Sequence, residues 1–534
     1  MSRNNVLQKY HKIEDYLQTQ LTRLFTDKRQ QIQILGYIAV FFIYFLTHVI
    51  NLIEYPSFST DEMFYVLKAL ILNKTGIPSM PKWGGEYVPE FTNPPTLSWI
   101  YLILFNFFGP SPLIVRSFML AIGLLNLLVV FLIGREIAGS EYQWRGYLIA
   151  IIAGLLLALD WELVFLSRLG FLDNPMNLFL TIFLYFYLRY LRTEDQNYAW
   201  LAGVAAGISL WFKLSVLFVL IGLVFFTLLN RKIDAALRVQ AMMVFFAGLY
   251  LLWGLTTDPV VFTNDNLFHL TRGVDSDPVG FWGSLLIGRE WRWSQSLPDP
   301  IRLLGFFSVP IPLFYLKDRK KFFNESSVLV LCLISGAIVF FLFTKTLFDY
   351  YLAGFASFYA ILFAISVFIA FDIVKFLQYK LLKIIDLSRN YSTLLEQGTW
   401  LVVLIVVLLA LIPKYNRLLG VSLENQENLE IISYIQQEVP KGETIVAPME
   451  ISPWLNASGY SVYNTWFNYG TPDWVVRDYI ETRTPSYLLL HKDYLHVCQD
   501  LPYSVIHSFT NYEFYMINSK DYFWTNSSLQ FSTA

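Results

Sequence analysis

The stretch Ser59-Thr60-Asp61-Glu62-Met63-Phe64-Tyr65-Val66 carries two adjacent carboxylates directly after the first long apolar segment, Ile34–Ile53. That segment is long enough to cross a bilayer as a helix. Asp61 and Glu62 therefore lie at the membrane surface, at the mouth of whatever the helices enclose. Acidic side chains so close to a bilayer are costly unless they are solvated or partnered. The stretch predicts either a solvated loop start or a functional carboxylate pair, and the rest of the chain favours the second.

The composition indicates a membrane protein. Of 534 residues, 55% are hydrophobic, 18% are aromatic and only 15% are charged, whereas a soluble domain has roughly 25% charged residues. The net charge of −2, without a basic stripe, gives no reason to expect a nucleic-acid partner. The two cysteines, Cys332 and Cys498, exclude a disulfide framework and a cysteine-based metal site.

The apolar runs predict an α-helical polytopic domain over residues 34–413, preceded by a polar cytoplasmic segment, 1–33. About eleven transmembrane helices are expected, near 34–53, 112–134, 146–166, 175–191, 199–212, 214–230, 240–256, 301–316, 327–343, 349–371 and 397–413. The apolar segment 95–108 is too short for a comfortable span. We expect it to lie at the interface or to be partly re-entrant.

The basic residues predict the orientation. With the amino terminus in the cytoplasm, every even-numbered crossing ends in a cluster of Lys and Arg, as the positive-inside rule requires. These clusters include Arg135, Arg145, Arg189, Arg192, Arg231, Lys232, Arg238, Lys317, Arg319, Lys320, Lys321, Lys375, Lys380, Lys383 and Arg389. The outer side then receives 54–111, 167–174, the long loop 257–300 and the tail. We expect a multi-pass protein of the plasma (inner) membrane.

The tail 414–534 is predicted to be a small extracytoplasmic α/β domain. A helical pattern covers 424–438, and strand-like runs follow at Glu443–Ala447, Ser486–Leu490 and Glu513–Ile517. Turn formers such as Pro440-Lys441-Gly442 separate them. Alternating helix and strand over about 100 residues is typical of one α/β domain.

Further polar residues fall on the outer side of this topology. Arg168 and Asp173 lie in one turn, Lys213 lies between two apolar runs, and Lys345 precedes the pair Tyr350-Tyr351. Taken singly, each cation is explained as an interfacial anchor, and Arg168 with Asp173 as a local ion pair. Their coincidence on one side favours a charged cavity that opens outward.

Such a cavity suits transfer from a lipid-phosphate donor. A carboxylate can remove a proton from an acceptor hydroxyl or amine as a general base. Nearby cations can hold a phosphate and offset the charge that develops on a phosphate leaving group. Apolar grooves between helices suit the lipid tail. Together these features predict a reaction outside the cytosol.

Roughly residues 34–371 resemble the GT-C glycosyltransferases, in particular glycosyltransferase family 39, with the protein O-mannosyltransferases and the lipid A aminoarabinose transferase. The resemblance rests on the order and topological side of six short elements. These are Ser59–Glu62, Asn93-Pro94-Pro95-Thr96-Leu97-Ser98-Trp99 before an apolar segment closed by Phe108-Gly109, Arg116, Arg168–Asp173, Gly207–Lys213 and Lys345–Tyr351.

The resemblance implies specific roles. Asp61 takes the position of the catalytic base, Glu62 a supporting or acceptor-binding position, and Asp173 the position of the second acidic residue. The cations, Arg168, Lys213 and also Lys345, are then expected to bind the donor phosphate or to line its path. Asn93, Tyr350 and Tyr351 are expected to line the substrate site. Asn93 departs from the family pattern, in which many relatives carry His or Lys. A neutral amide cannot supply a phosphate with charge, so no phosphate-binding role transfers to it.

The sequence therefore predicts a membrane glycosyltransferase that moves a sugar from a polyprenyl-phosphate donor to a protein, lipid or glycan acceptor at the extracytoplasmic face. A divalent cation that bridges carboxylates and phosphate is left open. The alternatives are a transporter or flippase for lipid-linked sugars and a scaffold without chemistry. A transporter predicts charges near mid-membrane and symmetry between halves, but the charges here lie at helix ends.

Overall fold

The structure is a computed structural model of the full chain. It describes residues 28–81, 87–138, 143–271, 321–344, 354–367, 425–465, 473–498, 501 and 503–517. The predicted spans 301–316 and 397–413 lie outside the described residues, as does much of 349–371.

The amino-terminal two thirds of the chain form a helical bundle. Its helices are α1 Lys28–Val49, α2 Thr60–Thr75, α3 Thr96–Phe108, α4 Pro112–Ala138, α5 Gln143–Leu159, α6 Trp161–Arg168, α7 Asp173–Thr193, α8 Gln196–Leu210, α9 Phe218–Asn230, α10 Ile233–Thr257, α11 Pro259–Thr271, α12 Lys321–Thr344 and α13 Ala356–Val367. A short antiparallel hairpin, β1 Ser79–Pro81 and β2 Tyr87–Pro89, lies between α2 and α3.

Three described helices are long and apolar enough to cross a membrane by themselves: Gln30–Val49, Pro112–Ile137 and Ile233–Thr257. Shorter apolar helices accompany them, among them Thr96–Phe108, in the segment predicted to lie at the interface. The predicted helical bundle is thus observed. The count of eleven crossings stays a prediction.

The predicted span 146–166 is not one helix. It breaks at Asp160, where α5 ends and α6 begins. Asp160 is buried, and its side chain accepts a hydrogen bond from the Leu163 amide (3.2 Å). A carboxylate at this position satisfies an amide that the start of a new helix leaves unpaired. Similarly, the predicted span 214–230 begins with a 3-10 turn, Leu214–Leu217, before α9.

The carboxyl-terminal domain is a mixed five-stranded sheet with helices on both faces. Its elements are α14 Gln426–Glu438, β3 Thr444–Pro448, α15 Ser452–Ala457, β4 Ser461–Thr465, α16 Asp473–Arg483, β5 Tyr487–His491, β6 Tyr503–Ser508 and β7 Tyr512–Ile517. The strand order is β4-β3-β5-β7-β6. The first three strands are parallel, and β7 runs antiparallel to both β5 and β6. The predicted helix and three strands are confirmed within one or two residues.

Alternation along the strands separates two cores. Ile445 and Leu489 face α14 and α15, in a cluster continuous with the helical bundle. Val446 and Leu488 face the opposite way, toward α16. Successive side chains of a strand point to opposite faces of the sheet, so the domain needs helices on both faces. The face with α15 packs against α2, next to Asp61.

Candidate active site

Asp61 lies in the first turn of α2, next to its N-cap residue, Ser59. Its side chain is partly exposed. The amides at a helix N-terminus carry a partial positive charge that stabilises a carboxylate there. The structure therefore presents Asp61 as an accessible carboxylate at the end of a fixed helix, as a general base requires.

Glu62 is directed the opposite way and is 1% exposed. Arg116, at the start of α4, donates to it through Nε (3.3 Å to Oε1) and Nη2 (3.1 Å to Oε2). The Gly170 amide donates to Oε1 at 3.0 Å. A buried, bidentate pair of this kind fixes geometry and excludes the carboxylate from solvent. Glu62 thus joins α2, α4 and the turn before α7, which fits a supporting role better than acceptor binding.

The turn between α6 and α7 is held closely against α2. A Cβ at position 170 would lie within 2.9 Å of Glu62 Cγ and within 2.8 Å of both Tyr101 Oη and Val115 Cγ1, so only glycine fits. Asn174 donates to the carbonyls of Leu166, Ser167 and Leu169 at 2.8–3.3 Å. These bonds satisfy acceptors at the carboxyl end of α6 and fix the first residues of α7.

Asp173 begins α7 and forms an ion pair with Lys213. The Lys213 ammonium donates to both carboxylate oxygens, at 2.9 and 2.8 Å. Lys213 has an extended backbone between α8 and the 3-10 turn, so its side chain leaves the helical path at this point. Asp173 is buried, whereas the Lys213 side chain is 12% exposed. The sequence placed these two residues on one side of the membrane, and the structure brings them into contact.

Asp61 and Asp173 lie within electrostatic reach of each other. Asp173 precedes the apolar part of α7, in the turn that the topology places outside the membrane. Burial raises the pKa of Asp173, the Lys213 ammonium opposes that shift, and the charge of Asp61 adds to it. Two carboxylates and one ammonium thus share one corner of the bundle.

Gly354 completes this corner. A Cβ on Gly354 would lie 3.2 Å from Asp173 Oδ1 and 2.1 Å from Met176 Cε. The backbone before α13 therefore passes directly over the carboxylate, at a distance that only glycine allows. The predicted site residues Lys345, Tyr350 and Tyr351 precede this glycine but lie outside the described residues.

Arg168 ends α6 and is 1% exposed. Its Nη2 donates to the Ile50 carbonyl, and its guanidinium packs over the Tyr55 ring at 5.6 Å. These contacts attach the turn to the outer end of α1. Arg168 is thus close to the predicted site along the chain, but its described contacts belong to the wall and not to the Asp173–Lys213 pair.

Asn93 lies in the loop before α3, half-buried, and donates to Thr92 Oγ1 at 3.5 Å. The same loop reaches the other side of the site through Thr96, whose hydroxyl donates to the Trp211 carbonyl at 2.7 Å. Trp211 lies two residues before Lys213. The loop that carries Asn93 is therefore attached to the segment that carries the site's ammonium.

Lys68 belongs to a charged cluster that sequence reasoning missed. It is buried on α2, forms an ion pair with Glu90 and packs over the Phe64 ring. Asp265 of α11 accepts the Phe91 amide at 2.7 Å and lies close enough to favour the charged lysine. Burial nevertheless lowers the pKa of Lys68 to about 7. The cluster joins α2, the hairpin loop and α11.

Several functional contacts carried only a weak signal in the sequence. Arg116 opens an apolar run, and an arginine there has to find a carboxylate or the headgroups. Gly170 and Gly354 are the kind of residue that a close backbone approach requires. The partners of all three come from distant parts of the chain, so no spacing rule identifies them.

A bound cation has few candidate ligands among the residues that the structure describes. Within these residues no three His, Cys, Asp or Glu side chains lie together in a way that could hold a metal ion. Asp173 gives both oxygens to Lys213. Asp61 is the accessible carboxylate of this corner, and the expectation of a divalent cation stays open.

Comparison with known proteins agrees with this geometry. Residues 92–255 match the family described as Dolichyl-phosphate-mannose-protein mannosyltransferase. An uncharacterized protein from Aquifex aeolicus (strain VF5) is 27% identical over 220 residues, which are 41% of each chain. The chain thus covers about two fifths of the length of this curated relative.

Two solved structures share the fold over most of the chain. One is ArnT from Cupriavidus metallidurans bound to undecaprenyl phosphate, with a TM-score of 0.61 and 15% identity over 92% of this chain and 98% of ArnT. The other is the archaeal oligosaccharyltransferase AglB from Archaeoglobus fulgidus in complex with an inhibitory peptide and a dolichol-phosphate. Its TM-score is 0.52, with 13% identity over 87% of this chain and 70% of AglB. The predicted resemblance to the GT-C glycosyltransferases is confirmed.

Proposed function

We propose that this chain is an integral membrane glycosyltransferase that transfers a sugar from a polyprenyl-phosphate donor to an acceptor at the extracytoplasmic face. The observation that carries the proposal is the corner in which the accessible Asp61 faces the Asp173–Lys213 pair. The family match over 92–255 covers the stretch with Asp173 and Lys213 and supports the same reaction class. The likeness to ArnT supports a lipid phosphate as the carrier.

The proposed reaction needs a base and a cation. Asp61 takes the proton from the acceptor hydroxyl or amine, the acceptor attacks the anomeric carbon, and the bond from that carbon to the phosphate oxygen breaks. A polyprenyl phosphodiester becomes a polyprenyl phosphomonoester, so the leaving phosphate gains one negative charge. The Lys213 ammonium offsets this charge, which grows only as the bond breaks.

Asp173 is proposed to hold Lys213 in place. A lysine on a flexible stem is a mobile point charge, and the paired contact with Asp173 fixes it at the edge of the site. Both oxygens of Asp173 are engaged by Lys213, whereas Asp61 is partly exposed. This difference favours Asp61 over Asp173 as the base.

Arg168 is proposed to act on the donor only through its field. It is buried against the outer end of α1, whereas Lys213 is the more accessible of the two cations. Lys345, Tyr350, Tyr351 and Asn93 stay predictions for the donor path and the substrate lining. Protein, lipid and glycan all stay open as the acceptor.

The proposed topology has eleven crossings, with the amino terminus in the cytoplasm and residues 414–534 outside. Labelling of a Ser422→Cys variant in intact cells tests this topology. We expect the residue to react without permeabilisation, and labelling only after the membrane is opened would contradict the orientation.

The roles of the carboxylates are tested by sugar transfer in purified protein. Asp61→Asn keeps the shape and removes the basicity, so turnover should fall by at least ~100-fold, the low end of what a general base supplies. The probes are radiolabelled undecaprenyl-phosphate-linked pentoses and hexoses, with a cell-envelope extract as the acceptor source. Near-wild-type turnover in Asp61→Asn with a dead Asp173→Asn would reassign the base. Retained turnover in both variants would overturn the mechanism.

A further inference from the structure

The segment 52–60, which leads into Asp61, is contacted by the carboxyl-terminal domain through Asn425. This residue is completely buried. Its amide donates to the Glu54 carbonyl (3.0 Å) and its Nδ2 to the Ile53 carbonyl (2.9 Å). Its Oδ1 accepts the Phe58 amide at 3.2 Å. One side chain and its backbone thus satisfy three backbone groups of a loop more than 360 residues away in the chain.

A second contact lies next to the base itself. Glu450, which follows β3, accepts a 2.7 Å hydrogen bond from the hydroxyl of Thr60. Trp454 of α15 packs against the Phe58 ring, with centroids 5.8 Å apart. The domain therefore contacts this segment on both sides of Ser59, the N-cap residue of α2.

Arg116 holds the same segment from the membrane side. Its Nη1 donates to the carbonyls of Leu52 and Ile53, at 3.1 and 3.2 Å. The loop lies between an arginine of the bundle and an asparagine of the outer domain. Each supplies hydrogen bonds that the loop's own residues cannot make, because the segment is neither helix nor strand.

We propose that Asn425 is a positioning residue for Asp61: the carboxyl-terminal domain, through Asn425 and Glu450, fixes the start of α2 and so the place of the catalytic carboxylate. This inference rests on the proposed function. Asn425 does not reach the reacting atoms. It acts by determining the direction in which the chain enters α2, and a small displacement of a base from its acceptor is costly in rate.

Asn425→Ala and Asn425→Asp separate positioning from folding. Asn425→Ala removes both side-chain hydrogen bonds to the segment. Asn425→Asp keeps the acceptor for the Phe58 amide and loses the donor to Ile53. The matched control is Asn456→Ala, which removes an exposed 3.3 Å hydrogen bond between the same domain and Lys74, at the far end of α2.

The first measurement does not depend on activity. Hydrogen exchange of the amides of residues 55–63 is compared in wild type and variants. We expect faster exchange in Asn425→Ala, a smaller increase in Asn425→Asp and no change in Asn456→Ala. Unchanged exchange in Asn425→Ala would overturn the proposal, whether or not the protein transfers sugar.

The second measurement is the split between kcat and KM in the transfer assay. We expect kcat of Asn425→Ala to fall about tenfold, with the KM for the undecaprenyl-phosphate donor within twofold of wild type. Asn425→Asp should lie between Asn425→Ala and wild type. Thr60→Val, which removes the hydroxyl without changing the size of the side chain, should lower kcat less than Asn425→Ala. Wild-type kcat in Asn425→Ala would overturn the positioning role.

The two measurements distinguish this inference from the proposed function. If the wild-type protein transfers no sugar from any donor tested, the proposed function fails, and the exchange result still decides whether Asn425 orders the loop. If wild type transfers sugar but Asn425→Ala and Asn456→Ala lose activity equally, the effect belongs to the domain interface in general and the specific role of Asn425 fails.

Discussion

The two ends of the helical bundle both carry ion pairs, but they bury them differently. At the catalytic pole, which contains Asp61 and Asp173, the Glu62–Arg116 pair is at most 1% exposed. At the opposite pole, Glu136 of α4 pairs with Arg189 and Arg192 of α7, whose side chains are 37% and 35% exposed.

This difference shows what each pole is built for. Exposed pairs contribute little to stability, with a median near 0–1 kcal/mol, and arginines at helix ends fit the cytoplasmic anchors that the sequence predicts. A buried pair is weak evidence for stability, because desolvation offsets most of the attraction. The buried pairs of the catalytic pole are better explained by the fixed geometry that they give to α2 and α7.

The largest difference between the poles should appear when one partner of a buried pair is removed. Arg116→Met leaves Glu62 buried without its cation, and we expect it to cost about 3–5 kcal/mol of the free energy of unfolding. Adding Glu62→Gln removes the stranded charge and keeps an acceptor for Gly170, so the double variant should recover part of the loss. Chemical unfolding in detergent measures both.

The matched control at the opposite pole is Arg192→Met, since Glu136 keeps Arg189. We expect a loss below about 1 kcal/mol. Equal losses for Arg116→Met and Arg192→Met would show that burial does not distinguish the two poles.

The second prediction concerns the donor. Lys213→Met removes one charge-assisted contact with the phosphate, and we expect the use of donor to weaken by about 1.5–3 kcal/mol, more than the use of acceptor. The measurement is the dependence of transfer rate on donor concentration. Lys232→Met, which removes an ammonium paired with the exposed Glu194 of the opposite pole, serves as the control. An unchanged donor dependence in Lys213→Met would contradict the assignment.

A smaller effect is expected from Lys68, which faces Glu90 and Asp265. Its pKa is about 7 in the folded protein and 10.5 without burial. Between these values the unfolded chain binds more protons, so the contribution of this group to stability rises with pH and is lost as the pH falls toward 7. From pH 7 to pH 9 the gain is about 2 kcal/mol. Thermal unfolding of wild type against Lys68→Met should show it, and parallel pH profiles would contradict it.

Local patterns in the sequence predicted most of the elements of this fold. Apolar runs located the helices, and strand-like runs located β3, β5 and β7. The break at Asp160 was missed because a single carboxylate between two apolar helices does not change the mean hydropathy of the run. The strands β4 and β6 were missed because they contain more polar residues, and only their neighbours in the sheet identify them.

The candidate site was predicted as a list of residues and not as a set of contacts. The topology placed Asp173 and Lys213 on one side, and the structure adds the bond between them. Sequence reasoning treated Asp61 and Glu62 as a pair, but adjacent residues on a helix face different directions. The contacts that separate their roles come from Arg116, Gly170 and Asn425, at positions that only tertiary folding brings close.

The central claim is tested most directly by a cryo-electron microscopy map of the purified protein with undecaprenyl phosphate added. The account predicts phosphate density within hydrogen-bonding distance of Lys213 Nζ, on the side that faces Asp61, with the lipid tail along the helices. Phosphate density at the opposite pole, beside Arg189 and Arg192, with none near Lys213, would contradict it.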